Sequence, residues 1–173
     1  KELYNLMYRN SLRILRIVNQ LMDMRKVDSG QMQLHFLETD VVYFIKDIMK
    51  SFDNLAVSRN ISFSINPADD VTNLWIDQGN FDKIIFNILS NAFKYTPENG
   101  SISISISNAK KNDGILSSHA KEYVEFVIEN TGSRVDEQHL GKLFDRFFQT
   151  DVHDAKVGSG VGLHLTKMLA ELH

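Results

Sequence analysis

Apolar residues recur at helical spacing through the first 27 residues of the chain. They stand at positions 3, 7, 14, 17, 21 and 24, and a second seam follows positions 12, 15, 18 and 22. One seam is enough for a helix that packs on a single surface, so two seams predict a helix inside a bundle. The run Asp28-Ser29-Gly30 then predicts the end of this helix and a hinge.

Further along, strand-like runs alternate with amphipathic helices. Serine and isoleucine alternate over 101–107, which predicts a strand whose isoleucines face a covered side. Other strands are predicted at 32–37, 61–65, 73–76 and 123–129, and helices at 78–95, 136–147, 161–173 and from a cap at Thr39 or Asp40 to about residue 57. This order predicts an α+β fold, a two-layer sandwich in which helices cover one face of a mixed β-sheet, preceded by one long bundle helix.

The composition excludes several kinds of site. The 173 residues include no Cys, which excludes disulfides, a thiolate nucleophile and a cysteine zinc site. The six His residues lack ligand spacing, so no transition-metal site is expected. The net charge of −3 argues against direct nucleic-acid binding. No apolar run reaches the roughly 20 residues that span a bilayer, and we expect a cytoplasmic location, with any membrane anchor elsewhere in the parent protein.

Two amides and an ammonium share one face of the helix predicted before Pro97. Asn87, Asn91 and Lys94 are spaced i, i+4 and i+7, and the opposite side is apolar. An Asn oxygen suits Mg²⁺, a Lys ammonium suits a phosphate, and Tyr95 offers an aromatic face for a base. Taken alone, the pattern fits a solvated polar stripe equally well.

A glycine-rich turn opens the last predicted helix. Gly158, Gly160 and Gly162 would let the backbone approach a polyphosphate, and the helix that follows would point its N-terminal amides at it. No strand is predicted before the turn, so neither a dinucleotide-binding fingerprint nor a P-loop fits. The polar run 149–157 predicts a mobile lid, and a flexible loop is the alternative interpretation of the glycines.

Three runs resemble the sequence boxes of the catalytic and ATP-binding domain of sensor histidine kinases, in the ATPase class shared with gyrase B, heat-shock chaperone and mismatch-repair ATPases. N-I-L-S-N-A-F-K-Y-T-P at 87–97 resembles the asparagine box, K-L-F-D-R-F-F-Q at 142–149 the phenylalanine box, and G-S-G-V-G-L-H-L-T-K at 158–167 the second glycine box. Residues 9–30 resemble the second helix of the family's dimerisation and phosphoacceptor hairpin, most closely in hybrid sensor kinases that carry a receiver domain.

The resemblance implies a protein-histidine kinase module that uses ATP and Mg²⁺. The catalytic residues would be Asn91, as the magnesium ligand, and Lys94. The γ-phosphoryl group of ATP would pass to a histidine outside this chain and then to an aspartate of a receiver domain. The implied nucleotide-binding residues are Asn87, Asn91, Lys94, Tyr95, Asn130, Gly132, Arg146, Gly158, Gly160, Gly162 and Leu163. Among them Lys94 and Arg146 would face phosphates. Tyr95 and Asn130 would flank adenine.

The resemblance also implies how the chain is divided and what it binds. Residues 1–28 would belong to the hairpin, and residues 29–173 would be the catalytic ATP-binding domain, truncated before the strand hairpin that closes this domain in the family. None of the six His residues stands in the family's phosphoacceptor context. The intact protein would be a homodimer through its hairpins. This chain, with one hairpin helix, would be monomeric or self-associate weakly.

The run at 128–135 stands in the place of the family's first glycine box and departs from its pattern. An Asp that accepts a hydrogen bond from adenine and two glycines are expected where this chain has Asn130, Gly132 and Arg134. An Asn oxygen still accepts this bond, but without the negative charge. A degenerate nucleotide-sensing or dimerising module without phosphotransfer is therefore the alternative. An ATP-hydrolysing conformational machine is disfavoured by the hairpin helix. Such machines also use a glutamate early in the asparagine-box helix, where Asp77 and Asp82 are the only nearby acids in this chain.

Overall fold

The computed structural model of the chain describes residues 2–69, 71, 73–110, 122–132, 134–148 and 160–173. The helices are α1 (Glu2–Asp28), α2 (Val41–Lys50), α3 (Asp53–Ser58), α4 (Gln78–Tyr95), α5 (Glu137–Leu140) and α6 (Gly162–Leu172). The strands are β1 (Leu37–Thr39), β2 (Ser62–Pro67), β3 (Leu74–Ile76), β4 (Ser101–Lys110) and β5 (Glu122–Asn130).

The chain packs as two compact units. The first unit comprises Lys1–His35, Gly79–Asn87 and Val135–His173, and the second comprises Phe36–Gln78 and Ile88–Arg134. Helix α4 therefore contributes its N-terminal half to the first unit and its C-terminal half to the second.

The second unit is built on a mixed sheet with the strand order β2-β4-β5 in the described residues. Strand β2 runs parallel to β4, with Ile65 beside Ile104, and β5 runs antiparallel to β4, with Ile128 beside Ile104. In β4 the side chains of Ile102, Ile104 and Ile106 are buried, whereas the serines between them retain solvent exposure. The prediction of an α+β fold with a mixed sheet covered on one face is confirmed.

The strand predicted at 32–37 is wrong over most of its length. The amides of Gln31 and Met32 donate to the Lys26 carbonyl at 2.9 and 3.1 Å and complete the end of α1. Strand β1 begins at Leu37, where β3 runs antiparallel to it and pairs Leu37 with Ile76. Its position is therefore set by a partner strand distant in sequence.

The helix predicted to run to about residue 57 is interrupted. Asp40 caps α2 by accepting a hydrogen bond from the Tyr43 amide at 2.9 Å, which decides between the two predicted caps. Between α2 and α3 the chain turns at Phe52, whose buried ring stacks on Phe93 of α4 with 5.1 Å between ring centroids. Phe63 of β2 meets the Phe93 ring edge-on at 5.0 Å. The prediction of one continuous helix is wrong because this aromatic cluster draws Phe52 into the core.

Arg59 fixes the C-terminal end of α4. Its guanidinium donates hydrogen bonds to the carbonyl oxygens of Phe93 and Thr96. A cation at this end also meets the negative pole of the helix dipole. The contacts hold in place the last turn of α4, which carries Lys94 and Tyr95.

The first unit joins α1, the N-terminal half of α4 and α6. Helix α1 packs against α6, in which Leu165 and Leu169 are buried. Lys83 of α4 forms an ion pair with Asp23 of α1, with 2.7 Å between Nζ and Oδ2. These contacts anchor the C-terminal part of α1.

Much of the apolar surface of α1 remains exposed. The exposed large side chains are Leu3, Tyr4, Leu6, Met7, Tyr8, Leu12, Ile14, Leu15, Val18, Leu21 and Met22. They include most positions of both predicted seams. Among the described helices, none has the length and apolarity needed to cross a membrane.

The helix predicted at 136–147 is present only as the short α5. Turns follow it, and the Lys142 amide donates to the His139 carbonyl at 2.9 Å. Phe147 has a φ of 63°, in the left-handed region, and its amide donates to the Gly160 carbonyl at 3.0 Å. The prediction of a continuous helix is wrong, because after Leu140 the amides of Lys142, Leu143 and Asp145 bond to carbonyls three residues back and form tight turns instead of α-helix.

Candidate functional site

Helix α4 carries the two candidate asparagines one turn apart, as predicted. Both are half-buried. The amide of Asn87 is engaged within the first unit, where its Oδ1 accepts from Gln20 Nε2 of α1 at 3.3 Å and its Nδ2 donates to the Gly162 carbonyl at 3.4 Å. Asn87 therefore joins the asparagine-box helix to the start of α6. Asn91 lies in the C-terminal half of α4, beyond this contact.

Lys94 and Tyr95 at the end of α4 contact one another. Lys94 Nζ lies 3.0 Å from the Tyr95 hydroxyl and 4.7 Å from the centroid of its ring. Both side chains are exposed. The ammonium is therefore held near the aromatic face by a hydrogen bond and a cation–π contact, and both groups remain accessible to a ligand.

The first glycine box packs directly against the end of α4. Gly132 has a φ of +144°, and a Cβ at this position would lie 2.2 Å from the Tyr95 carbonyl oxygen. Only glycine permits this approach of two backbone segments. Asn130, at the end of β5, is exposed, and its Nδ2 donates to the Thr131 carbonyl at 3.1 Å. The structure thus brings Tyr95 and Gly132 together within the second unit.

The phenylalanine box and the second glycine box meet in the first unit. Gly160 has a φ of +67°, and a Cβ there would lie 2.7 Å from the Phe147 backbone. Gly162 begins α6, and a Cβ there would lie 3.5 Å from Asn87 Oδ1. Leu163 is half-buried in the first turn of the same helix. Gly158 and the predicted lid at 149–157 lie outside the described residues.

Arg146, a predicted phosphate ligand, is bound by two side chains of its own unit. Its Nη2 lies 2.9 and 2.7 Å from the two carboxylate oxygens of Asp28. Its Nε donates to His164 Nε2 at 3.0 Å. The Arg146 guanidinium, the candidate phosphate ligand, therefore binds the Asp28 carboxylate in this structure.

The acidic residue early in α4 has a shifted proton affinity. Desolvation by burial raises the pKa of the Asp82 carboxyl, and the nearby Lys83 ammonium opposes the shift.

Across the described ranges, no three His, Cys, Asp or Glu side chains cluster to hold a metal ion. The Asn91 side chain carries an amide oxygen, a neutral donor of the kind that Mg²⁺ accepts. A single amide oxygen fits Mg²⁺, which keeps several waters and takes phosphate oxygens from its nucleotide.

Sequence reasoning missed the groups that hold the candidate residues. Gln20 binds Asn87, and Asp28 and His164 bind Arg146. Arg59 binds the last turn of α4. Each contact joins residues far apart in sequence, so local spacing gave no signal for it. For Asp28 the sequence predicts only a place in a hinge.

A family model described as histidine kinase-, DNA gyrase B- and HSP90-like ATPase matches residues 76–173, more than half of the chain. The chain belongs to this family. The match begins at the end of β3 and includes all of α4, β4, β5 and α6. Helix α4, with the run that resembles the asparagine box, therefore lies within the matched ATPase domain.

Curated relatives of this ATPase domain are histidine kinases. Histidine kinase P4 of Formosa agariphila is 33% identical over 165 residues, which cover 92% of this chain and 11% of that protein. Hybrid signal transduction histidine kinase D of Dictyostelium discoideum is 30% identical over 167 residues, which cover 95% of this chain and 10% of that protein. The chain spans about a tenth of the length of these relatives.

A solved structure shares the fold. Full-length ShkA in complex with AMPPNP superposes with a TM-score of 0.74 at 20% identity, over 92% of this chain and 31% of that chain. At this identity the likeness establishes the fold. Because the superposition covers most of the chain, the fold assignment includes the region before residue 76.

Proposed function

We propose that this chain is the ATP-binding catalytic module of a hybrid sensor histidine kinase, and that it donates the γ-phosphoryl group of ATP to a histidine outside this chain. The observation that carries the proposal is the asparagine-box helix α4. It presents the half-buried amide of Asn91 one turn before Lys94 and Tyr95, in a chain whose family binds and uses ATP.

The roles of the residues follow from their chemistry. We assign Asn91 as the Mg²⁺ ligand rather than Asn87, because both polar atoms of the Asn87 amide are engaged by Gln20 and Gly162. Bound Mg²⁺ would neutralise phosphate charge. Lys94 would add a point charge to the phosphates. Phosphoryl transfer depends mainly on such positioning and charge neutralisation.

The remaining assignments concern the base and the glycine boxes. Tyr95 would stack on adenine, and Asn130 would accept from its amino group. The glycines of the second box and Leu163 would line the phosphate side. The complex of ShkA with AMPPNP supports a nucleotide in this fold.

The exposed seams of α1 support a further part of the proposal. A helix with apolar residues on more than one side buries them only inside a bundle. We therefore assign residues 1–28 to the second helix of a phosphoacceptor hairpin and residues 29–173 to the catalytic domain. Through its hairpins the intact protein would dimerise, and a receiver domain would accept the phosphoryl group. The cytoplasmic location with a membrane-anchored parent remains a prediction.

The proposal is tested by calorimetric titration of the chain with ATP, with and without Mg²⁺. We expect binding in the micromolar to millimolar range, and Asn91→Ala should lose the part of the affinity that depends on Mg²⁺. Asn54→Ala removes the same side chain from an exposed position of α3 and serves as the matched control. Equal ATP affinities of Asn91→Ala and wild type in the presence of Mg²⁺ would refute the assignment.

A further inference from the structure

The end of α1 is joined to the phenylalanine box by one ion pair. Asp28 is the last residue of α1, and Arg146 Nη2 contacts both of its carboxylate oxygens at 2.9 and 2.7 Å. The two side chains are 44% and 48% exposed. The pair can therefore open and close without disturbing a core.

His164 of α6 holds the other side of the guanidinium. Its Nδ1 lies 2.7 Å from the Phe144 carbonyl oxygen, which can only accept, so Nδ1 carries the proton. The unprotonated Nε2 then accepts from Arg146 Nε at 3.0 Å. With Nε fixed by His164, the guanidinium is oriented so that Nη2 faces Asp28. Arg146 is thus a preorganised anion-binding group, and its present anion is a carboxylate.

We propose that Asp28 competes with the nucleotide for Arg146 and thereby couples the end of α1 to nucleotide binding. A guanidinium binds carboxylate and phosphate oxygens by the same charge-assisted hydrogen bonds. Asp28 therefore occupies on Arg146 the place that a phosphate oxygen takes in the proposed function, on which this inference rests. Nucleotide binding releases Asp28, and closure of the Asp28–Arg146 pair disfavours nucleotide binding.

The exposure of the pair sets the size of the effect. Exposed ion pairs shift an equilibrium by no more than about fivefold, because water screens both charges. A competitor of this strength lowers nucleotide affinity without preventing binding. Release of the pair also frees the helix end that precedes the Ser29-Gly30 turn, which is closed by hydrogen bonds from Ser29 to Arg25 and from Gly30 to Val27.

The test compares by calorimetry the MgATP affinities of wild type and four variants, which are Asp28→Asn, Asp47→Asn, Arg146→Gln and the double variant Asp28→Asn/Arg146→Gln. Asp28→Asn keeps the shape of the side chain and removes its charge, so it should bind MgATP about two- to fivefold tighter than wild type. Asp47→Asn changes the net charge equally but breaks an exposed pair with Lys50, and should bind like wild type. In an Arg146→Gln background, Asp28→Asn should bring no gain in affinity.

The outcomes separate the two proposals. If wild type binds MgATP and Asp28→Asn binds it no tighter, the competition is overturned while the proposed function stands. If Asp28→Asn tightens binding equally with Arg146→Gln present, Asp28 acts as a general charge and the competition is also overturned. If wild type binds no nucleotide, the proposed function fails and the competition fails with it. As a second readout, MgATP should speed hydrogen exchange at the end of α1 in wild type but not in Asp28→Asn.

Discussion

Replacing Gly132 by Ala tests the packing that joins the first glycine box to the end of α4. The new Cβ would lie 2.2 Å from the Tyr95 carbonyl oxygen, about 1 Å short of the 3.4 Å at which ordinary contact begins. The obstacle is backbone at the end of a helix that Arg59 also holds, so it cannot turn aside as a flexible side chain would. A backbone shift is therefore required.

Two costs add in the Gly132→Ala variant. Overpacking of a close contact costs about 1–3 kcal/mol. A non-glycine residue at a sparsely populated positive φ, here +144°, costs roughly a further 1–3 kcal/mol. We expect the free energy of unfolding to fall by about 2–6 kcal/mol, a large part of the stability of an ordinary domain.

Two other glycines provide a graded control for the Gly132→Ala measurement. Gly30 has a φ of +66° and nothing within 4 Å of a new Cβ, so Gly30→Ala should cost only the backbone strain of about 1–2 kcal/mol. Gly141 has a φ of −64° and open space around it, so Gly141→Ala should be neutral or stabilise by roughly 0.4–1 kcal/mol.

Urea unfolding followed by far-ultraviolet circular dichroism gives the three free energies. The expected order of stability is Gly141→Ala, then Gly30→Ala, then Gly132→Ala. If Gly132→Ala loses no more stability than Gly30→Ala, the close approach to Tyr95 does not constrain the fold and the reasoning fails.

Three further predictions concern α4 and the base site. Arg59→Met keeps the aliphatic stem but removes the donor from two carbonyl oxygens at the end of α4, so the free energy of unfolding should fall by about 1–3 kcal/mol. Thermal unfolding measures this loss, and Arg59→Lys should partly restore the stability. An unchanged melting temperature of Arg59→Met would contradict the prediction. Burial raises the pKa of Asp82, so the folded state favours the protonated carboxyl over the ionised carboxylate. The stability that the protonated carboxyl contributes is present at low pH and is lost as the pH rises through the raised pKa. Asp82→Asn should therefore melt slightly higher than wild type at about pH 7, with the difference absent at about pH 3, below the usual carboxyl pKa; a difference that persists in acid has another cause. Asn130→Asp should bind ATP more tightly and GTP more weakly, because a carboxylate accepts a hydrogen bond from the adenine amino group with full charge but cannot donate to a guanine carbonyl. Paired ATP and GTP titrations of both proteins measure this. An unchanged ratio of ATP affinity to GTP affinity would show that Asn130 does not contact the base.

Local pattern was sufficient for the elements whose signals lie within the element. Helix α4 has the predicted bounds, because its apolar face repeats with helical period and Pro97 stops the helix. Strand β4 follows the Ser–Ile alternation, because side chains on a strand alternate between a covered face and an open one. The C-terminal half of α4 also carries the asparagine box, one of the three runs that resemble the ATPase family.

The side chains that contact the candidate residues are set by tertiary packing. Asp28 and Arg146 are 118 residues apart in sequence, and Gln20 and Asn87 are 67 apart. No periodicity records such contacts, since each depends on where whole elements pack. The end of the phenylalanine box shows the same dependence, since the Phe147 amide donates to the Gly160 carbonyl, 13 residues further along the chain. Local pattern therefore predicts the order of most elements and the chemistry on the face of α4. Long-range packing decided the neighbours that each side chain meets, because hydrogen bonds and steric contacts act through space rather than along the chain.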